Sequence, residues 1–230
     1  MTPPDSPAPL SRRERPAKPA LSRRAIVDAA RTLLAEEGLE RVTMRRIAAA
    51  LDTGAASLYV YVRNAEELHA AVLDELLADV ALPGGQGSWR ERLVELLMSY
   101  TEVLYAHPSL ARMAVTTRPS GPHSLHLFET LLGLLREGGV PVRDAAWAAD
   151  LLVQHATVNA AEAGTRGDTP ESEFEDAALV SAVRAAAADG EHPNLAAAGD
   201  AVFSGTGVGR LRWSFELLLN GVLATPVPED

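Results

Sequence analysis

With 230 residues, 47% of them apolar and 23% charged, the chain has the material for a buried core and is not a disordered acidic polymer. It contains no cysteine, which excludes disulfides, thiolate metal sites and cysteine nucleophiles. The formal charge of −10 is unevenly spread: residues 1–64 carry 11 Arg and Lys against 7 Asp and Glu, residues 65–230 carry 10 against 24. A basic head on an acidic body suits approach to phosphate while discouraging non-specific adhesion. The N-terminal stretch lacks an apolar run of signal-peptide length, and no later segment reaches the roughly 20 apolar residues of a membrane span. A soluble cytoplasmic protein with no membrane partner is expected.

Residues 1–20, rich in Pro, Ala and Arg, read as a flexible basic arm carrying Arg12, Arg13, Arg15 and Lys18. Ser22 is placed to cap a helix in which Ile26, Ala30, Leu33 and Leu34 share a face until Gly38. Thr43 caps a second, with Met44, Ile47, Ala48 and Leu51 on one side; after Asp52-Thr53-Gly54 a short helix from Ala55 to Val62 is anchored by Leu58 and Val62. Asn64 then caps a longer helix with Leu68, Val72, Leu76 and Val80 on one stripe, ended by Pro83-Gly84-Gly85. Helices follow near 88–106, 109–116, 122–137, 142–165, 173–188 and 208–223, and residues 189–207 are expected to be loop. No alternating run is long enough for a strand.

The fold class is therefore all-α: an arm over 1–20, a three-helix helix-turn-helix domain over 21–66, and a larger helical domain over 67–230. Two helices look double-faced. Asp144 to Ala163 is crowded with alanine, and the last helix carries Leu211, Phe215, Leu218 and Val222 on one stripe with Trp213 and Leu217 on another. A helix apolar on two sides needs two partners, its own core and a second surface. A second copy of the chain is the expected partner, giving a homodimer.

Residues 43–64, TMRRIAAALDTGAASLYVYVRN, read as helix, tight turn, helix. Thr43 caps the first helix, whose free N–H groups and positive dipole end can meet a phosphate, with Arg45 and Arg46 beside it. Ala55, Ala56 and Ser57 are small side chains where a helix entering the major groove must approach base edges. Tyr59 and Tyr61 can reach phosphates through their hydroxyls, and Arg63 adds a charge. A helical hairpin with a purely structural role would show the same apolar period.

From about Ile26 to Leu77 the chain resembles the DNA-binding domain of the tetracycline-repressor (TetR) family. The likeness lies in the run AARTLLAEEGLERVTMRRIAAALDTGAASLYVYVRNAEEL: the Glu-Gly after the first helix, the capping Thr, the Ile-Ala pair, Leu58-Tyr59, and Asn64 with Glu66-Glu67-Leu68. The resemblance implies double-stranded operator DNA as a partner, with Thr43, Arg45, Ala55, Ala56, Ser57, Tyr59 and Tyr61 facing it. Two positions depart from the family pattern. Asp52 stands where Gly is usual after Leu51, and Ala65 where a phosphate-contacting Lys commonly follows the Asn, which shifts that role to Arg63 and the arm.

Trp89, the run Thr117-Arg118-Pro119 before a helix, and the final LRWSFELLLNGV extend the resemblance to the family's tetracycline-repressor branch, which implies that 67–230 is a ligand-binding and dimerisation domain. Members that bind magnesium-tetracycline use a His three residues before the Thr as metal ligand; here that residue is Ala114. A polar Asn of the branch is replaced by Leu96, whereas the aromatic position four later persists as Tyr100. Tyr100, Met113, Thr117, Phe128, Leu131, His155 and Asn159 are expected around a cavity for a small amphipathic, ring-containing effector, with no metal and no cofactor. The expected function is a ligand-responsive transcriptional repressor. One competing reading is a DNA-binding regulator without an effector. The other is a helical enzyme using His123 with His126, or His155, Asn159 and Glu162 on one helix face, although no HExxH, phosphate loop or nucleophile motif accompanies them.

Overall fold

The computed structural model describes residues 20–168 and 172–229; apart from Ala20, the arm expected over 1–20 lies outside them. Among the described residues there is no strand, and eleven α-helices follow in order. They are α1 (Arg23–Glu37), α2 (Met44–Ala50), α3 (Ala55–Leu58), α4 (Ala65–Leu76), α5 (Trp89–Tyr105) and α6 (Pro108–Ala114). The others are α7 (Pro122–Glu137), α8 (Val142–Asp168), α9 (Ser172–Ala188), α10 (Pro193–Ala198) and α11 (Gly207–Ala224).

The starts of the first helices rest on the residues the sequence marks as caps. Ser22 Oγ accepts from Ala25 N at 3.2 Å, Thr43 Oγ1 from Arg46 N at 3.4 Å and Asn64 Oδ1 from Glu67 N at 2.8 Å, each satisfying an orphan first-turn donor. Three boundaries differ from expectation. The helix from Ala55 closes after Leu58 and continues as turn to Tyr61, though Leu58 and Val62 are both buried. The helix from Asn64 ends at Leu76 and tightens into a 3-10 turn over Leu77–Asp79. The stretch 189–207, expected to be loop, contains α10 and a 3-10 turn over Gly199–Phe203, because Pro193 pre-sets the first helical φ and three alanines follow.

Asp52, in the turn between α2 and α3, has φ 49°, the left-handed region. Asp tolerates that region better than most non-glycine residues. Asp52→Gly is therefore expected to change the unfolding free energy by less than about 0.5 kcal/mol, whereas Asp52→Val should lose about 1–2 kcal/mol. Urea denaturation reads both; a valine variant as stable as wild type would show that the turn is relaxed.

Two buried clusters organise the chain. The first gathers Ile26, Ala30, Val42, Ile47, Leu58, Val62 and Val72 from α1 to α4. The second runs through α5, α7, α8 and α11, with Leu93, Leu97, Leu131, Leu135, Leu152 and Phe215 at its centre. Helix α4 feeds both, giving Leu68, Val72 and Leu76 to the first and Leu73 to the second. So does α6: Leu110 belongs to the first cluster and its neighbour Ala111 to the second. A Cβ at Gly164 would lie 2.7 Å from the Pro108 side chain, so the glycine is what lets α6 seat against α8.

Candidate functional site

The α2–α3 surface carries the nine residues expected to face DNA. Met44, Ile47 and Ala48 turn inward, which puts Thr43, Arg45, Ala56 and Ser57 at the surface with Ala55 half-buried. Tyr59 is 54% exposed and Tyr61 37%, both in the turn that follows α3. The three expected arginines differ in their freedom. Arg46 forms a two-pronged pair with Glu37 of α1 and so ties α2 to α1. Arg63 donates through Nε and its backbone N to Glu67 Oε2, both at 2.9 Å, and these bonds hold the Glu67 carboxyl below its ordinary pKa. Among the described residues Arg45 has no ion-pair partner and stands exposed, which leaves its charge available to a phosphate.

Behind α6 lies a cavity of about 110 Å³ between α5, α7, α8 and the turn that follows α6. Leu77, Val115, Leu127 and Val153 supply apolar wall, and Tyr100, Ser124, Gln154 and Thr157 supply polar atoms. Arg118 pairs with Asp150 at 2.5 Å on the same wall. Tyr100 is buried, its hydroxyl 2.8 Å from Thr157 Oγ1, and burial raises the phenol above its usual pKa, so it stays unionised.

Of the residues expected around a cavity, Tyr100, Thr117 and Phe128 line this one. Leu131 is fully buried behind it in the core, and Met113 packs against both clusters. His155 and Asn159 open instead into a separate hollow bounded by Tyr105, Glu162, Arg210 and Trp213. There the His155 Nε2 lies 2.7 Å from Ser214 Oγ, its ring stands edge-on to Phe215 with centroids 5.6 Å apart, and burial lowers its pKa. The cavity-facing residues of α8 are Asp150, Val153, Gln154, Thr157 and Val158, one stripe at helical spacing. Alternation of 3 and 4 from Asp150 marks that stripe, whereas polar character alone points to the neighbouring face, that of His155 and Asn159.

Ala114, the position at which the family resemblance would put a metal-ligating His, lies in the cavity wall. A methyl group cannot coordinate, and the one carboxylate on the lining, Asp150, is held by Arg118. The lining therefore does not fit a magnesium chelate. Among the described residues no group of three or more His, Asp or Glu gathers as a metal cluster, and no helix is long and apolar enough to cross a membrane.

A second junction joins the two halves. Asp74 of α4, almost fully buried, accepts from Ser124 N at 2.8 Å and His123 N at 3.4 Å, and so caps the start of α7 from another helix. A Cβ at Gly121 would lie 2.1 Å from Asp74 Oδ2, so only glycine allows this approach. Ser124 also lines the cavity, which places the cap one residue from any bound molecule.

Comparison with known proteins agrees with this geometry. Residues 26–72 match the model of bacterial regulatory proteins of the tetR family, and residues 83–225 match the tetracyclin repressor-like C-terminal domain. The tetracycline repressor protein class D of Escherichia coli is 33% identical over 143 residues, 61% of this chain and 65% of that protein. An HTH-type transcriptional regulator of Saccharopolyspora erythraea matches over 52% of its length, so the chain spans roughly half to two thirds of these curated relatives. Among solved structures, SCO7704 of Streptomyces coelicolor, assigned as a transcription regulator, is 50% identical with TM-score 0.75, covering 93% of this chain and 100% of that one. ActR of Streptomyces coelicolor, solved in complex with actinorhodin, is 31% identical with TM-score 0.74, covering 90% of this chain and 97% of that one. With both halves matched and in the expected order, the chain belongs to the TetR family of bacterial transcriptional regulators.

Proposed function

We propose that the chain is a homodimeric repressor that binds a palindromic operator through α2 and α3 and is released by a small amphipathic, ring-containing molecule held in the cavity behind α6. The observation that carries this is the place of α6. Leu110 is packed in the head's core, Ala111 in the body's core, and Ala114 in the cavity wall, so a ligand that moves α6 must move the head. Drug-sized ligands fill pockets of about 300–1,000 Å³, well above the 110 Å³ present here. A ligand of that size therefore prefers a state in which α6 and the turn after it have shifted, and such a preference is what an effector needs. Releasing most operator takes a preference on the order of 100-fold or more. The complex of ActR, a related fold, with actinorhodin supports a small-molecule effector here.

Exposed apolar residues on two helices support dimerisation. Trp147 and Leu151 of α8 and Trp213 and Leu217 of α11 are all exposed, while the opposite sides of the same helices fill the core. Burying them against a symmetry mate pairs the two heads, and recognition elements about 34–36 Å apart then meet successive turns of one duplex face.

The test separates phosphate contact from base readout. Arg45→Ala and Tyr59→Phe are expected to weaken specific and non-specific duplex binding alike, with Arg45→Ala lowering the salt slope by about one. Changes at Ala55 or Ala56, such as Ala56→Gln, should alter which sequence is preferred at similar non-specific affinity. Competition gel shifts over a salt series read both. Equal loss of every sequence from the Ala56 variant would move that residue off the base edges.

A further inference from the structure

The polar end of the cavity has a definite hydrogen-bond polarity. Thr157 Oγ1 lies 2.8 Å from the Val153 carbonyl one turn back and 2.8 Å from the Tyr100 hydroxyl. Threonine has one hydroxyl proton, and the carbonyl can only accept. If Thr157 gave its proton to Tyr100, two acceptor oxygens would face each other at 2.8 Å with nothing between them. With Thr157 donating to Val153 O and Tyr100 donating to Thr157 Oγ1, both contacts are hydrogen bonds. This second arrangement gives the Tyr100 and Thr157 hydroxyl protons an acceptor each, and burial favours it strongly.

The consequence is that the Tyr100 proton is spent on the protein, and the phenol offers the cavity only lone pairs. On the same wall Ser124 Oγ donates to Pro119 O at 2.9 Å, so its proton is spent as well. Arg118 and Asp150 compensate one another at the rim, and Tyr100 is unionised. The buried end formed by Tyr100, Thr157 and Ser124 therefore carries no net charge and asks for a donor.

We infer that the effector is an uncharged aromatic molecule that places a hydroxyl donor against Tyr100 Oη, extending the chain through Thr157 to the Val153 carbonyl, and that Tyr100 and Thr157 together set this specificity. The inference rests on the effector reading proposed above. It discriminates against ligands whose buried end offers only an acceptor, such as a methyl ether or a quinone oxygen, because two lone pairs would then meet in a desolvated site.

The experiment uses the full chain and three probes of one shape: 2-naphthol, naphthalene and 2-methoxynaphthalene, each titrated by calorimetry. The wild type is expected to bind 2-naphthol about tenfold or more tightly than either of the other two. In Thr157→Val, which keeps the branched shape but removes the acceptor, the Tyr100 proton is freed toward the cavity. The order of 2-naphthol and 2-methoxynaphthalene should then narrow to parity or reverse. In Tyr100→Phe the preference should fall toward none, and this variant keeps the test decisive if Thr157→Val does not fold. Equal wild-type binding of all three, or a preference untouched by both substitutions, overturns the polarity argument while leaving an effector cavity in place. Failure of all three probes to bind overturns the effector reading itself, and this inference with it.

Discussion

Replacing Asp74 with alanine is expected to destabilise the chain by about 1–3 kcal/mol and to blunt its response to effector. The stability loss follows because the Ser124 and His123 backbone N–H groups at the start of α7 lose a buried charged acceptor. The blunted response follows because Asp74 belongs to α4, which carries Leu68 and Val72 of the head's core, while its partners adjoin the cavity. Gly121→Ala should act in the same direction by pushing a methyl into the Asp74 carboxylate. Urea unfolding gives the first quantity. Effector titration of operator-bound protein gives the second, with the half-release concentration rising about fivefold or more if the link carries coupling of ordinary size. Wild-type stability and response in both variants would take the Asp74 junction out of the mechanism.

The double substitution Trp213→Asp with Leu217→Asp should have the larger effect on DNA. Two carboxylates set into a self-complementary apolar face repel their symmetry mates and cannot be hydrated there. Both positions are more than half exposed in the single chain, at 65% and 52%, so the monomer itself is expected to stay folded. Sedimentation should show a monomer at micromolar concentration. A monomer holds one half-site, and specific affinity should drop by about 10³ or more toward the non-specific level. A variant that remains dimeric, or a monomer that keeps full operator affinity, would contradict the arrangement of α8 and α11 proposed above.

How much of this was legible in the sequence depended on how local the determining physics is. Ser22, Thr43 and Asn64 mark helix starts because a capping side chain acts within three residues, and all three do so. Leu58 and Val62 were recognisable as inward anchors by spacing, yet the α-helix between them stops at Leu58. The Arg63 to Glu67 pair, four residues apart, could have been read from the spacing, and it qualifies the role expected of Arg63. The Arg46 to Glu37 pair could not, since it depends on how α1 and α2 cross. His155 and Asn159 look like pocket residues by chemistry, but on α8 they sit one residue of rotation away from Gln154 and Val158, which face the cavity. The Asp74 cap was illegible for the same reason as Arg46: a carboxylate on one helix meets the start of another 49 and 50 residues away.

A two-fold dimer that reads duplex DNA by sequence selects sites with its own symmetry. The most direct measurement is selection of duplexes from a random pool by the full-length chain, followed by sequencing of what is retained. The expected result is an enriched palindrome whose half-site centres lie about one helical turn apart or a multiple of it, about 10–10.5 bp per turn. Retention without an enriched motif, or a motif without two-fold symmetry, would contradict it.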